Sequence, residues 1–238
     1  MLTSKRCIAL ALGLAGAVSA AMLIARVQAS ADGQLSVLPA VGASQVYSAS
    51  LGEPYQNSAT GTVTIARSAS DSAHVTVADG LPPFDQTLSV TSQGSLVQPS
   101  PSNQFVDLLD TVATILAAAP STAQKDTQWT VNLPSLGWME SGSGLSAQQA
   151  KAVGSVPPVP LTTKVVSASG DALTLHGEGT MKQEAMSSMG LMGSEITIVI
   201  DIEVKSGHLD SCSRTATESI ITEGNARKIG QTISLTAK

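Results

Sequence analysis

From Gly61 onward the chain alternates between polar and apolar residues in short runs. Thr62-Val63-Thr64-Ile65-Ala66, His74-Val75-Thr76-Val77 and Thr87-Leu88-Ser89-Val90-Thr91 each repeat every second residue, the period of a half-buried strand. Asp79-Gly80, Pro82-Pro83 and Gln93-Gly94 punctuate them as turns. Pro99-Ser100-Pro101 then breaks the alternation. Phe105, Leu108, Leu109, Val112, Ile115, Leu116 and Ala119 follow at helical spacing and form one apolar stripe. The spacing predicts a helix over Asn103 to Ala119, with Ser102 as its N-cap and Pro120 as its stop. Asp107 and Asp110 fall toward its N-terminal half, where the helix dipole favours negative charge.

Strand character resumes at Gln128 to Leu133. Gly142-Ser143-Gly144 reads as a loop and Ser146 to Val153 as a short helix closed by Gly154. Pro157, Pro158 and Pro160 enforce an extended link. The last third is the strongest β region. Leu161 to Ala168 and Ala172 to Thr180 flank Ser169-Gly170-Asp171, a hairpin turn. Glu195 to Lys205 places Ile196, Ile198, Ile200, Ile202 and Val204 on one face, with Thr197, Val199, Asp201 and Glu203 on the other. Ser206-Gly207 turns the chain into His208 to Thr222, and Glu223-Gly224-Asn225 turns it into Arg227 to Ala237. Long strands joined by tight turns make an antiparallel meander. The expected fold class is α+β, mostly antiparallel β: a curved sheet or half-barrel meander with one central amphipathic helix. The helix stripe and the isoleucine face each need an apolar partner, and each supplies the other's. No internal repeat is present.

The N-terminus changes where this domain is expected to work. Lys5 and Arg6 precede an uncharged apolar stretch from Cys7 to Ala25, Arg26 ends it, and Val27-Gln28-Ala29 follows. A basic start, an apolar middle and a small-x-small exit describe a secretory signal peptide. Cleavage is expected after Ala29, with Val18-Ser19-Ala20 as a second site. Residues 8–25 come close to the ~20 needed to span a bilayer, so retention as an N-terminal anchor is the alternative. Either way the remainder is secreted or periplasmic, or held outside the cytoplasm by that anchor. Cys7 precedes the apolar run, which argues against a lipoprotein. The expected organisation is a signal peptide or anchor over 1–29, a Ser/Ala/Gly/Gln-rich flexible arm over 30–59 with one strand near Gln45 to Leu51, and a single antiparallel-β domain over 60–238.

Removing 29 of 238 residues leaves 209, enough to bury a core without staples. Cys212 is then the only cysteine, so no disulfide forms within the chain; it is either a buried thiol or one that pairs with another molecule. Lys5, Arg6 and Arg26 leave with the segment, so the 13 basic residues fall to 10 against 18 acids, a balance of −8. That charge gives no reason to bind nucleic acid or an anionic bilayer, and membrane contact is expected only through an uncleaved N-terminus. Tyr47, Tyr55, Phe84, Phe105, Trp129 and Trp138 are the only aromatic residues after the segment, too few for a stacking platform. Trp129 and Trp138 flank Pro134 and are expected to anchor that segment on the core by size.

The stripe Phe105–Leu109–Val112–Leu116 and the hairpins at Gly170, Gly207 and Gly224 carry a resemblance. In order of export signal, strands, helix and terminal meander, the chain resembles periplasmic half-barrel proteins that carry lipids or lipoproteins. The resemblance covers most of the mature chain as layout and transfers no functional residue. It implies an apolar ligand, lipid or acylated envelope partner held inside the sheet's curve.

Chemistry-bearing clusters are sparse. Four of the five methionines beyond the targeting segment lie between Met181 and Met192, and Met186, Met189 and Met192 recur every third residue. Thioethers bind Cu(I), and a looped or helical segment would let these sulfurs converge. The simpler expectation is an adaptable apolar rim. His208 and Asp210, with Asp201 and Glu203 across the turn, read as a solvated sheet face rather than a metal site; no HExxH or paired CxxC occurs. No G-x-S-x-G is present, and Cys212 and His208 would sit ~13 Å apart along a regular strand. No catalytic residue and no cofactor are expected. The leading expectation is a non-enzymatic binding or carrier module, with Phe105, Leu109, Val112 and Leu116 as wall and Met186, Met189 and Met192 as movable rim. The alternatives are a structural or interaction module of the envelope with a filled core, and a Met-rich Cu(I)-handling protein. A cavity above ~300 Å³ beneath the helix favours the carrier; a packed interior favours the structural module.

Overall fold

The computed structural model describes residues 35–52, 58–92, 94–97, 103–133, 158–187, 190–222 and 225–238, with backbone alone at 183–187, 190–194, 220–222, 225–227 and 229. Among the described residues, eleven strands and one helix are laid out in this order: β1 (Ser44–Gly52), β2 (Ala59–Ala69), β3 (Ser72–Ala78), β4 (Phe84–Val90), β5 (Leu96–Val97), α1 (Gln104–Ala117), β6 (Gln128–Leu133), β7 (Val159–Ser169), β8 (Ala172–Ser187), β9 (Gly190–Lys205), β10 (His208–Thr222) and β11 (Asn225–Ala237). All eleven strands join in one antiparallel sheet, ordered β5-β4-β3-β2-β1-β11-β10-β9-β8-β7-β6. The α+β, mostly antiparallel architecture with one helix matches the pattern read from the alternation.

The order has a simple logic. The chain starts at the middle of the sheet, meanders out to the β5 edge, crosses through α1, and meanders back from the β6 edge to the middle. There β11 pairs with β1, Tyr47 opposite Ala237 through Gly52 opposite Thr232. The stretch expected as an arm therefore supplies β1, a strand beside the centre of the sheet. Its Tyr47 is buried, and its hydroxyl donates to the Leu209 carbonyl at 3.4 Å.

Flat, eleven strands would spread over ~48 Å at the usual interstrand spacing. Helix α1, with 14 residues, is only ~21 Å long. Yet α1 lies close to β5, to β6 and to the central β11 at once. The sheet must therefore curl until both edges reach the same helix. Small residues permit the curl on the concave side. At Gly177 of β8 a Cβ would stand 2.8 Å from Ile200 Cγ2 and 3.0 Å from Leu161 Cδ2, and at Gly179 one would stand 2.5 Å from the Pro160 carbonyl oxygen. Any side chain there would push β7 off the curve.

Alternation decides the two faces. In β9, Ile196, Ile198, Ile200, Ile202 and Val204 are buried, while Asp201, Glu203 and Lys205 are exposed. The convex face carries cross-strand threonine pairs, Thr130 with Thr162, Thr180 with Thr197 and Thr215 with Thr232, with hydroxyls 3.0–3.5 Å apart. Such pairs suit β-branched backbone preference and keep the outer surface wet. The hairpins form where glycine allows them. Ser206 and Gly207 both take positive φ (51° and 81°), as a two-residue turn of the I′ kind requires, and Gly170 takes 61°. Thr222 pairs with Asn225, which closes the third hairpin.

Strands β8 and β9 run further than their alternation suggested, from Thr180 on to Ser187 and from Glu195 back to Gly190. Pairing of β7 with β8 stops at Glu178, and pairing of β1 with β11 stops at Thr232. The ends of β8, β9, β10 and β11 therefore project as a four-stranded tongue.

Candidate functional site

Helix α1 begins at Asn103, whose Oδ1 accepts from the Phe105 amide at 3.0 Å; this residue, one beyond Ser102, is the cap. Ser102 lies outside the described residues. The stripe is real, but it is not the whole buried surface. Phe105, Leu109 and Val112 are fully buried and Leu116 is 4% exposed, and Val106, Leu108, Thr111, Ala113 and Ile115 are buried as well. Gln104, Asp107, Asp110, Thr114 and Ala117, which recur every three or four residues, stay partly or fully open, so the helix buries all but one narrow polar face in the core. The four expected wall residues are brought together, and Phe105, Leu109 and Val112 expose no surface to water.

Three polar ties fix the helix. On one side Asp110 accepts from the Ser95 hydroxyl and the Leu96 amide, next to and within β5; burial nonetheless raises its pKa, against those two hydrogen bonds. On the other side the Trp129 indole of β6 donates to the Ile115 carbonyl at 3.2 Å. The third tie goes to the floor. The Thr111 hydroxyl donates to the Asp107 carbonyl at 2.7 Å, which leaves its oxygen to accept from Arg214 Nη1 of β10 at 3.5 Å. Such hydrogen bonds contribute ~1 kcal/mol each. Burial of the seven large apolar side chains of α1 contributes on the order of 14 kcal/mol gross, at ~2 each. Apolar burial holds the helix; the ties choose its position.

Arg214 is the unexpected member of this floor. Its side chain is enclosed, and Nη2 has no hydrogen-bond partner. Burial lowers its pKa to about 10, partly offset by the nearby charge of Asp107 and by Cys212, so it stays protonated at neutral pH. Across the pairs Arg214–Ile233, Ala216–Gln231 and Glu218–Ile229, the buried polar residues Arg214, Gln231 and Glu218 alternate along two adjoining strands. Diagonal neighbours of this kind lie ~7–8 Å apart. Glu218 Oε2 is buried without a partner, and burial raises that carboxyl's pKa. Thr163 of β7, opposite Gly177, is fully buried with its hydroxyl unpartnered. The concave face is thus apolar with a polar track along β10 and β11.

The methionine rim is only partly described. Met189 lies outside the described residues. Met192 pairs with Ala185, and Met186 with Leu191, so the two stand at opposite parities of an extended hairpin. The backbone there is strand, not the helix or loop that convergence on one ion would use. Among the described residues no group of three or more His, Cys, Asp or Glu is placed to hold a metal. Asp201 and Glu203 are otherwise engaged: His176 Nδ1 is 2.7 Å from Asp201, and the Ser211 hydroxyl donates to Glu203 at 3.1 Å. A register shift between Leu209 and Ser211 displaces Asp210 from the regular alternation with His208. Cys212 is a buried free thiol on the concave face, pushed up to about 12 by burial. His176, paired with Asp201 on the convex side, faces away from it. Trp138 and Gly224 lie outside the described residues, as do residues 1–29, where a targeting segment is expected. Among the described residues no helix is long and apolar enough to cross a membrane.

No protein-family model matches the chain, and no curated protein or solved structure matches it at significant similarity.

Proposed function

We propose that this chain is an exported, non-enzymatic binding module that takes an apolar ligand, or the acyl chain of a partner, against its concave face. In this reading α1 occupies that face when no ligand is present. The observation that supports it is the floor itself: an apolar concavity that encloses Arg214 Nη2, Glu218 Oε2 and Thr163 Oγ1 without partners. Each such atom costs ~1–3 kcal/mol in a permanently filled core, and more when charged. An occupant with polar groups of its own removes that cost. The exchange is balanced in magnitude. Burying an 18-carbon acyl chain contributes about 14 kcal/mol at ~0.8 per methylene, the same order as the apolar burial of α1.

Complete burial of Phe105, Leu109 and Val112 favours a second reading, an envelope interaction module whose helix never leaves its core. Native mass spectrometry of the gently purified protein separates the two. A carrier shows a mass excess in the range of a lipid, which organic extraction removes and added lipid restores. A bare polypeptide mass that no added lipid changes supports the filled-core module.

A further inference from the structure

We infer that Arg214 anchors the anionic head group, a carboxylate or phosphate ester, of an amphipathic ligand whose chain lies on the concave face. The inference rests on the reading that this face takes an apolar ligand, and it names the ligand's chemistry.

Arg214 stands opposite Ile200 on one side and Ile233 on the other, between Cys212 and Ala216 along its own strand. A guanidinium offers five N–H donors in a planar fork suited to two oxygens of one anion. Here Nη1 reaches only the Thr111 hydroxyl, at the outer limit of hydrogen bonding, and Nη2 reaches none. A buried ion in this condition is usually less stable than an apolar side chain of the same shape. The fold keeps it in its core, where packing alone would select methionine or leucine.

The position of the negative charge supplies the rest. The carboxylate that acts on Arg214 belongs to Asp107, and Thr111 is its hydrogen-bond acceptor; both are on α1. If a ligand displaces α1, both leave with it, and a cation remains on an apolar floor. A ligand with an anionic head restores the charge balance and fills the fork. A neutral ligand of equal length leaves the cation bare. Gln231 is the adjoining polar group on the floor, and Glu218 lies beyond it, ~13 Å along the strand from Arg214, too far to compete for the head group.

The test uses the mature chain and three probes: oleate, oleyl alcohol and inorganic phosphate. Binding is measured by native mass spectrometry and by calorimetric titration. Oleate is expected to bind at least ~10-fold tighter than oleyl alcohol, the scale of one charge-assisted hydrogen-bonded pair. Phosphate alone is expected not to bind, since the apolar chain supplies most of the affinity. In R214M the preference for oleate is expected to vanish while oleyl alcohol binding persists. Equal binding of oleate and oleyl alcohol by the wild-type chain, which involves no variant, would overturn the anchor and leave the apolar-ligand reading intact. Binding of neither amphiphile would overturn both. Tight binding of phosphate alone would replace the amphipathic ligand with a free anion and overturn the inference as stated.

Discussion

Replacing Leu109 by alanine tests whether α1 is inside the core. Leu109 is fully buried, with Phe105, Val112 and Leu116 along the same stripe. The substitution removes about three methylene equivalents, ~2.4 kcal/mol of transfer free energy at ~0.8 each. A helix enclosed by a curled sheet collapses poorly onto the void, so a cavity contribution adds to this. The expected loss is ~3–5 kcal/mol. Urea unfolding followed by far-ultraviolet circular dichroism measures it. With a slope of ~3 kcal/mol per molar, the midpoint falls by ~1 M or more at unchanged slope. Val166, 47% exposed on β7, gives the control: V166A shifts stability by no more than ~0.5 kcal/mol. If L109A and V166A lose the same small amount, the helix is not packed in the core, and it does not occupy the concave face.

Other predictions follow from single groups. Cys212, buried with its thiol pushed up to about 12, is expected to resist Ellman's reagent at pH 8 until urea unfolds the chain, when it reacts; prompt native reactivity of Cys212 would contradict its burial. The raised pKa of Glu218 means that the native state binds its proton more tightly than the unfolded chain. Stability is therefore lost as pH rises from the ordinary 4.5 through the raised native value, at no more than ~1.4 kcal/mol per pH unit for one proton. E218Q should flatten that part of the wild-type pH profile, leaving the contribution of Asp110, which has the same sign; an unchanged profile would place Glu218 in water. G177A should cost at least ~1 kcal/mol, because its Cβ meets Ile200 and Leu161, whereas G170N, at a positive φ with open space around it, should cost only a few tenths. Equal effects at the two glycines would mean that the sheet does not bend at β8.

Much of this fold is legible because its period is legible. The isoleucines of β9 alternate cleanly, so their face follows from the sequence, and Gly170 and Gly207 mark turns that only a residue tolerant of positive φ makes easily. The helix was visible for the same reason, though the stripe does not reveal that Val106, Leu108, Thr111 and Ala113 are buried beside it, which leaves only the face of Gln104, Asp107, Asp110, Thr114 and Ala117 partly open. Strand β1 was less visible because Ser, Gln and Ala neighbours give Gln45 to Leu51 little contrast, and its place depends on pairing with β11, far away in sequence. The tongue was hidden by Ser187-Ser188-Met189-Gly190, whose composition reads as a loop. The polar floor was hidden most completely. From Ser211 to Glu218 the concave positions hold Cys212, Arg214, Ala216 and Glu218, while serine and threonine occupy much of the convex side. No apolar alternation tells the two faces apart there. Only the register with β9 and β11 turns Arg214 inward.

The distance between the two edge strands tests the curled sheet most directly. Spin labels on cysteines placed at Val97 of β5 and Thr130 of β6, both exposed, leave the buried Cys212 unlabelled in the native protein. The helix contacts that join these edges, at Asp110 and Ile115, are five residues apart, ~7.5 Å of helical rise. Double electron–electron resonance should therefore give one narrow distribution below ~30 Å, allowing for the width of the helix. A distribution centred near the ~48 Å of a flat sheet would show that the edges never meet the helix, and there would be no enclosed face to hold a ligand.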